Sequence, residues 1–343
     1  MTEMPLQSEP LAIPGRPFGR IVRSVLGYAA VTALMFLTPL LLVFMPAMLF
    51  HSGVRNGRRA TWMALLLGIA LAAVASHSAP TVAEMNMKYA YLAAEILCLA
   101  IPAMLVLPLV ERSAPFGGVL MTAVVAALPG FAIAEIGSRL LFGFSLYGDQ
   151  LKQYEEWGTG VLTMFQQRGA TAETLIAVHR SLDIGKACVP TAGLTSVIVF
   201  FVLSIMMFGR LRAFREFIQT REASVTPGVY LFRNLSLPDW LLFAFLLGGA
   251  VPLATGLLQK VAGNVLAVVI FLYLLQGLAI FRALLAAVGI SGMGLFFAFL
   301  MLGLLTFTGG IAPILLTIAG LFDSFFDFRK FRRKDDSNEG HTD

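Results

Sequence analysis

A nearly unbroken apolar run from Trp240 to Phe322 constrains this chain more than any other feature. A run of this length with almost no charge cannot form a soluble core, and it is long enough for several helices that each need about 20 residues to cross a bilayer. The run is followed by a basic cluster between Arg329 and Lys334. Because Lys and Arg are enriched on the cytoplasmic side of membrane helices, the cluster predicts a cytoplasmic C-terminus.

Short motifs with polar residues lie in and around this run. They are Phe232-Arg233 with Leu237-Pro238-Asp239-Trp240, then Leu275-Gln276-Gly277-Leu278, and then Gly320 and Asp323 followed by Phe328-Arg329-Lys330. Together they resemble the YybS-like bacterial membrane proteins (domain of unknown function 2232), a family with no established activity. The helix pattern of that family is similar to that of the substrate-binding membrane components of energy-coupling-factor vitamin transporters. The motif residues that carry the resemblance are Asp239, Trp240, Gln276, Gly277, Gly320, Asp323 and Arg329.

Composition agrees with a membrane protein. Hydrophobic residues make up 58% of the chain, charged residues 13%, and the mean hydropathy is +0.81, which is far from globular usage. The net charge of +5 does not indicate nucleic-acid binding, because the basic residues lie in short loops between apolar segments. The sequence has no phosphate-binding loop, metalloprotease motif or nucleophile elbow, and Cys98 and Cys188 have no paired spacing, so neither an enzyme nor a cofactor or metal is expected.

The alternation of apolar segments and basic loops predicts an all-α polytopic bundle with about ten spans and both termini in the cytoplasm. The chain then divides into a disordered tail (1–20), a membrane domain (21–323) and a basic then polar tail (324–343). The predicted location is the bacterial plasma (inner) membrane. The predicted spans are about 21–37, 38–51, 61–76, 89–109, 116–144, 189–208, 240–257, 265–281, 291–306 and 310–322. Each of the segments 21–51 and 291–322 either crosses the membrane twice or follows a re-entrant path, and the sequence leaves both alternatives open.

The one long extracytoplasmic segment is 145–187, and its pattern predicts a helical hairpin. Arg168-Gly169 is typical of a helix end, and Thr171 is a suitable cap for a second helix. One interpretation is a connector anchored at the membrane interface. The other is a lid over a binding site.

Three charged residues stand out within the predicted spans, where charge is costly and is a candidate for function. Glu135 and Arg139 are four residues apart on one helix and can pair. Glu95 has no charged neighbour within one turn of its own helix. One hypothesis is that Glu95, Glu135 and Arg139 line a solute site in the outer half of the membrane. The simpler interpretation is that Glu135 and Arg139 only neutralise each other.

A basic cytoplasmic face is predicted after the sixth span. It consists of Arg210, Arg212, Arg215 and Arg221, interspersed with apolar side chains. Such a segment binds anionic lipid headgroups or offers a docking face for a partner protein.

Two classes of function follow from these features. The first is a non-enzymatic solute-binding or transport component that depends on partners for energy. The second is a membrane scaffold or regulator that binds no solute and recruits partners through its basic face. An intramembrane enzyme is the third and weakest interpretation.

Overall fold

The structure is a computed structural model that describes residues 18–78, 81–211, 230–250 and 255–326. In these ranges every regular element is helical. The N-terminal helices are α1 (Phe18–Leu37), α2 (Met45–Asn56), α3 (Arg58–Ser76), α4 (Val82–Glu95), α5 (Ile101–Glu111) and α6 (Phe116–Phe142). The remaining helices are α7 (Leu146–Gln167), α8 (Ala172–Ala187), α9 (Val189–Arg210), α10 (Leu241–Gly249), α11 (Gly256–Ala287), α12 (Met293–Gly309) and α13 (Ile311–Phe326).

Five helical stretches are long and apolar enough to cross a membrane, which confirms a multi-pass membrane protein. They are Arg58–Ser76, Val82–Glu111, Phe116–Phe142, Val189–Arg210 and Leu258–Ala287. The pair Met293–Thr306 and Ile311–Phe326 is bent by 113° and adds a sixth if it forms one broken span. The nine residues of α10 extend only about 13.5 Å at the helical rise, less than half of a hydrocarbon core of about 30 Å. The ten predicted crossings therefore stay a prediction.

The first three helices show how the chain enters the bundle. Val25 of α1 packs with Ala60 and Ala64 near the start of α3, and Thr32 lies against Gly68 further along. The two helices therefore run parallel in close contact. A Cβ atom at Gly68 would lie 2.6 Å from the Thr32 Cβ, so glycine permits this approach. The intervening chain returns through a 3₁₀ helix (Pro39–Phe44) and α2.

The core lies where α2, α5, α6 and α9 meet. Phe50, Leu107, Leu120 and Phe201 are almost fully buried there. Phe50 and Phe208 form an edge-to-face pair with ring centroids 5.7 Å apart, and the Ser204 hydroxyl donates to the Val43 carbonyl over 2.7 Å. These contacts fix the middle of the membrane domain.

The C-terminal helices form a second tight pair, in which α11 and α13 run antiparallel. A Cβ atom at Gly277 would lie 1.9 Å from the Leu316 carbonyl oxygen, and one at Gly320 would lie 2.0 Å from the Tyr273 carbonyl oxygen. Both glycines therefore allow backbone-to-backbone packing, a common device between membrane helices.

Candidate functional site

Glu135 and Arg139 form an ion pair on α6, as their spacing predicts. The Arg139 Nε atom donates to Glu135 Oε1 over 2.5 Å. The Ser145 hydroxyl also donates to Glu135 Oε1 over 2.8 Å, and the backbone N–H of Tyr147 donates to Oε2 over 3.0 Å. Glu135 therefore has a second role that its spacing did not reveal, because it fixes the first turn of α7 to α6.

Glu95 lies at the end of α4, directly before a π-helical turn (Ile96–Ala100). Pro102 follows this turn, and since proline has no N–H, the carbonyl four residues before it loses its α-helical partner. Such π turns are frequent at functional sites. Within the part of the chain that the structure describes, the Glu95 carboxyl has neither a hydrogen bond nor an ion pair, and Arg139 is paired with Glu135 instead. The role of Glu95 in ligand binding stays a prediction.

A cavity of about 400 Å³ lies between α4, α6, α7 and α9. We call it the outer cavity, because the predicted topology puts it in the outer half of the membrane. Glu135 lines it, whereas Glu95 and Arg139 do not. Its lining residues are Tyr91, Ala94, Phe131, Ala132, Ala134, Glu135, Leu146, Tyr147, Gln150, Pro190 and Gly193. Most of these side chains are apolar or aromatic, and few are polar, which is typical of a small-molecule site.

The wall that α7 contributes to the outer cavity is tied to α4. The Tyr91 hydroxyl donates to Asp149 Oδ2 over 2.5 Å, and the Gln153 amide donates to the same oxygen over 2.7 Å. Segment 145–187 forms the two helices α7 and α8 that its sequence predicts, with the Thr171 side chain accepting from the Thr174 N–H. Residues of α7 therefore border the cavity directly, as a lid would.

The two helices of this hairpin are braced against each other. The Tyr154 hydroxyl donates to the Leu182 carbonyl over 3.2 Å, and Lys186 forms an ion pair with Glu155. The hydrogen bond to Glu155 raises the pKa of the Lys186 ammonium. The hairpin thus has its own internal contacts in addition to those with α4 and α6.

A family model described as "Predicted membrane protein (DUF2232)" matches residues 22–324. The match covers most of the chain and all of the helices that form the walls of the outer cavity and the core. The chain belongs to the DUF2232 family. The YybS-like resemblance inferred from the C-terminal motifs is thereby confirmed. No curated protein and no solved structure matches the chain.

The described parts of the three motifs that suggested the family resemblance meet around one buried polar contact. The Gln276 side chain of α11, which is 1% exposed, donates to Asp323 Oδ2 over 3.0 Å and accepts from the Leu237 N–H over 3.3 Å. Gly277 and Gly320 bring α11 and α13 together beside it. Asp239 is exposed and Trp240 precedes α10. Gln276 thus links all three motifs through one side chain.

This contact explains how irregular backbone is accommodated inside a membrane protein. Residues 230–240 are mostly non-helical, yet Tyr230, Leu235 and Leu237 are nearly fully buried. Non-helical backbone that is buried in a membrane domain is tolerated only where protein satisfies its polar groups. Gln276 does so for the Leu237 N–H, and Asp323 orients Gln276.

The basic face lies mostly outside the described residues. Arg210 is the last residue of α9. Arg212, Arg215 and Arg221 fall in 212–229, and Arg329 follows residue 326, where the last described range ends. Their predicted roles in binding headgroups or a partner stay predictions.

Proposed function

We propose that this DUF2232 protein is a non-enzymatic solute-binding component of a transport system in the bacterial inner membrane, dependent on partner proteins for energy. The observation that supports it best is the outer cavity, whose volume is in the range of small-molecule sites. The similarity to energy-coupling-factor components that the sequence suggested for the family's helix pattern is itself a prediction, and it favours the same role.

The chemistry of the outer cavity favours a neutral solute with an aromatic or apolar body. Glu135 is the one acidic residue that lines it, and both of its oxygens already accept hydrogen bonds. The charge of Glu135 is balanced by Arg139. Tyr91, Phe131 and Tyr147 offer aromatic surface, and Gln150 offers an amide that can form hydrogen bonds with a polar edge of the solute.

Filling the cavity should abolish this binding. Ala132 lines the outer cavity and Ile133, its neighbour on α6, is 56% exposed and does not line it. We expect Ala132→Trp to weaken solute affinity by on the order of ten-fold or more, and Ile133→Trp to leave it unchanged. The purified proteins are first screened by thermal shift against neutral vitamins and nucleobases, with metal ions as the charged comparison, and affinities are then measured by calorimetry. In the same series, Glu95→Gln tests the separate prediction from the sequence that this carboxyl, which does not line the outer cavity, contributes to solute binding.

Equal affinities for the Ala132→Trp and Ile133→Trp variants would place the solute elsewhere. If Glu95→Gln changes stability without any dependence on solute, its carboxyl has only a structural role. If no compound raises the unfolding temperature, the result favours the alternative function. In that function the protein is a scaffold whose basic face from Arg210 to Arg221 recruits partners.

We also propose that the N-terminus is cytoplasmic, together with the loops at 52–60, 112 and 210–236, and that the α7–α8 hairpin is outside. A cytoplasmic C-terminus stays a prediction, because α13 runs antiparallel to α11, whose end near Arg282 the same topology places inside. The supporting observation is the placement of basic residues. In a background with Cys98→Ser and Cys188→Ser, Thr163→Cys on exposed α7 should react with a membrane-impermeant maleimide in intact cells. Arg59→Cys, also exposed, should react only after permeabilisation. Labelling of Arg59→Cys in intact cells, or protection of Thr163→Cys, would overturn the topology.

A further inference from the structure

A second cavity lies between α6, α9, α10 and α11 and has a volume of about 510 Å³. We call it the lipid groove. Its walls are apolar, with Val124, Leu128, Leu194 and Val268 as typical members. The polar lining residues are Thr191, Lys260 and Asn264, which lie together near the starts of α9 and α11. The groove is therefore apolar along its length and polar at one end.

The length of the lipid groove matches one leaflet of a bilayer. Its lining on α11 extends from Lys260 to Leu272, about 18 Å at the helical rise. Half of a hydrocarbon core of about 30 Å is about 15 Å. The Phe245–Tyr273 ring contact and the approach of Gly248 to Leu266 show that α10 runs antiparallel to α11. Trp240, at the start of α10, therefore lies at the deep end of the groove, opposite to Lys260.

The polar end has one group that the protein leaves available. The Asn264 amide donates to the carbonyls of Lys260 and Ala187, over 2.8 Å and 3.3 Å, and its oxygen accepts from the Thr191 hydroxyl. Asn264 is thus occupied in joining α9 to α11. The Lys260 side chain is exposed, and its ammonium has no ion pair or hydrogen bond within residues 18–78, 81–211, 230–250 and 255–326.

We propose that the lipid groove binds an anionic phospholipid, with one acyl chain along the apolar walls and the phosphate on Lys260. An ammonium at the mouth of an apolar groove one leaflet long is complementary to an anionic headgroup above an acyl chain. A peptide is a poorer occupant, because apolar walls offer no partners for its backbone N–H and C=O groups. A zwitterionic lipid carries a cationic group in its own headgroup, so its electrostatic attraction to the Lys260 ammonium is weaker.

Trp240 is a natural probe of this site. The chain has three tryptophans, and neither Trp62 nor Trp157 lines the groove. The full chain with Trp62→Phe and Trp157→Phe is reconstituted in phosphatidylcholine vesicles that contain a fixed fraction of one brominated lipid. This lipid is either phosphatidylglycerol or phosphatidylcholine, and in both cases the bromine lies near the ends of the acyl chains. Bromine quenches nearby tryptophan, so occupancy is read from Trp240 fluorescence. We expect an apparent preference for phosphatidylglycerol of about five-fold, the contribution of one basic residue near an anionic lipid.

Variants of Lys260 distinguish binding in the lipid groove from a general attraction of the protein to anionic lipids. Lys260→Gln should remove the preference and Lys260→Arg should retain it. Lys88→Gln removes an exposed lysine that does not line the groove and should retain the preference. Equal quenching by the two brominated lipids in the protein with Lys260, or a preference that survives Lys260→Gln, would overturn the proposal. Quenching by a brominated fatty acid at concentrations where phosphatidylglycerol has no effect would overturn the assignment to a phospholipid.

Discussion

Gly277→Leu is expected to lower the free energy of unfolding by about 3 kcal/mol, the upper part of the range for overpacking a core. A Cβ atom at Gly277 would lie 1.9 Å from the carbonyl oxygen of Leu316. Because the obstacle is helix backbone, it cannot move aside as a flexible side chain would, and α11 and α13 must separate. The measurement is equilibrium unfolding in detergent micelles, followed by circular dichroism or fluorescence.

Gly263→Leu provides a matched control on the same helix. A Cβ atom there would meet no atom within 4 Å, and leucine has a better helix propensity than glycine. The control variant should be as stable as the original protein or slightly more stable. Similar losses for both variants would show that α11 and α13 do not pack through Gly277.

Gln276→Leu is expected to destabilise the protein by about 2–4 kcal/mol, the cost of removing partners from buried polar groups. The variant removes both the amide that donates to Asp323 and the oxygen that accepts from the Leu237 N–H. The loss should also release residues 230–240, since Gln276 holds them to α11. Hydrogen exchange at Leu237, measured with unfolding in detergent, reports both effects.

Two further variants test whether the effect of Gln276→Leu comes from this contact. Gln259→Leu changes an exposed glutamine on the same helix and should change stability by no more than about 0.5 kcal/mol. Combining Gln276→Leu with Asp323→Leu should cost less than the sum of the two single changes, because replacing both partners by apolar groups avoids part of the desolvation penalty. Additive losses would contradict a direct Gln276–Asp323 contact.

Local patterns in the sequence were sufficient for features that lie within one helix or one turn. The Glu135–Arg139 pair follows from a spacing of four residues. The end of α7 at Arg168-Gly169 and the cap at Thr171 follow from residue types with known preferences at helix ends. Hydropathy alone identified a multi-pass membrane protein, because crossing a bilayer requires long apolar segments.

Tertiary structure alone decided which helices pack together and which side chains line the cavities. The parallel pairing of α1 with α3, the contact of Glu135 with the Tyr147 N–H, and the link from Gln276 to Leu237 and Asp323 join residues far apart or on different elements. Hydropathy does not reveal such contacts, because lipid tails are as apolar as the side chains that pack between helices, so a lipid-facing residue and a core residue look alike in the sequence. Packing also adds Ser145, which lies beyond the end of α6, as a partner of the Arg139 guanidinium, a contact that the spacing within the helix does not reveal.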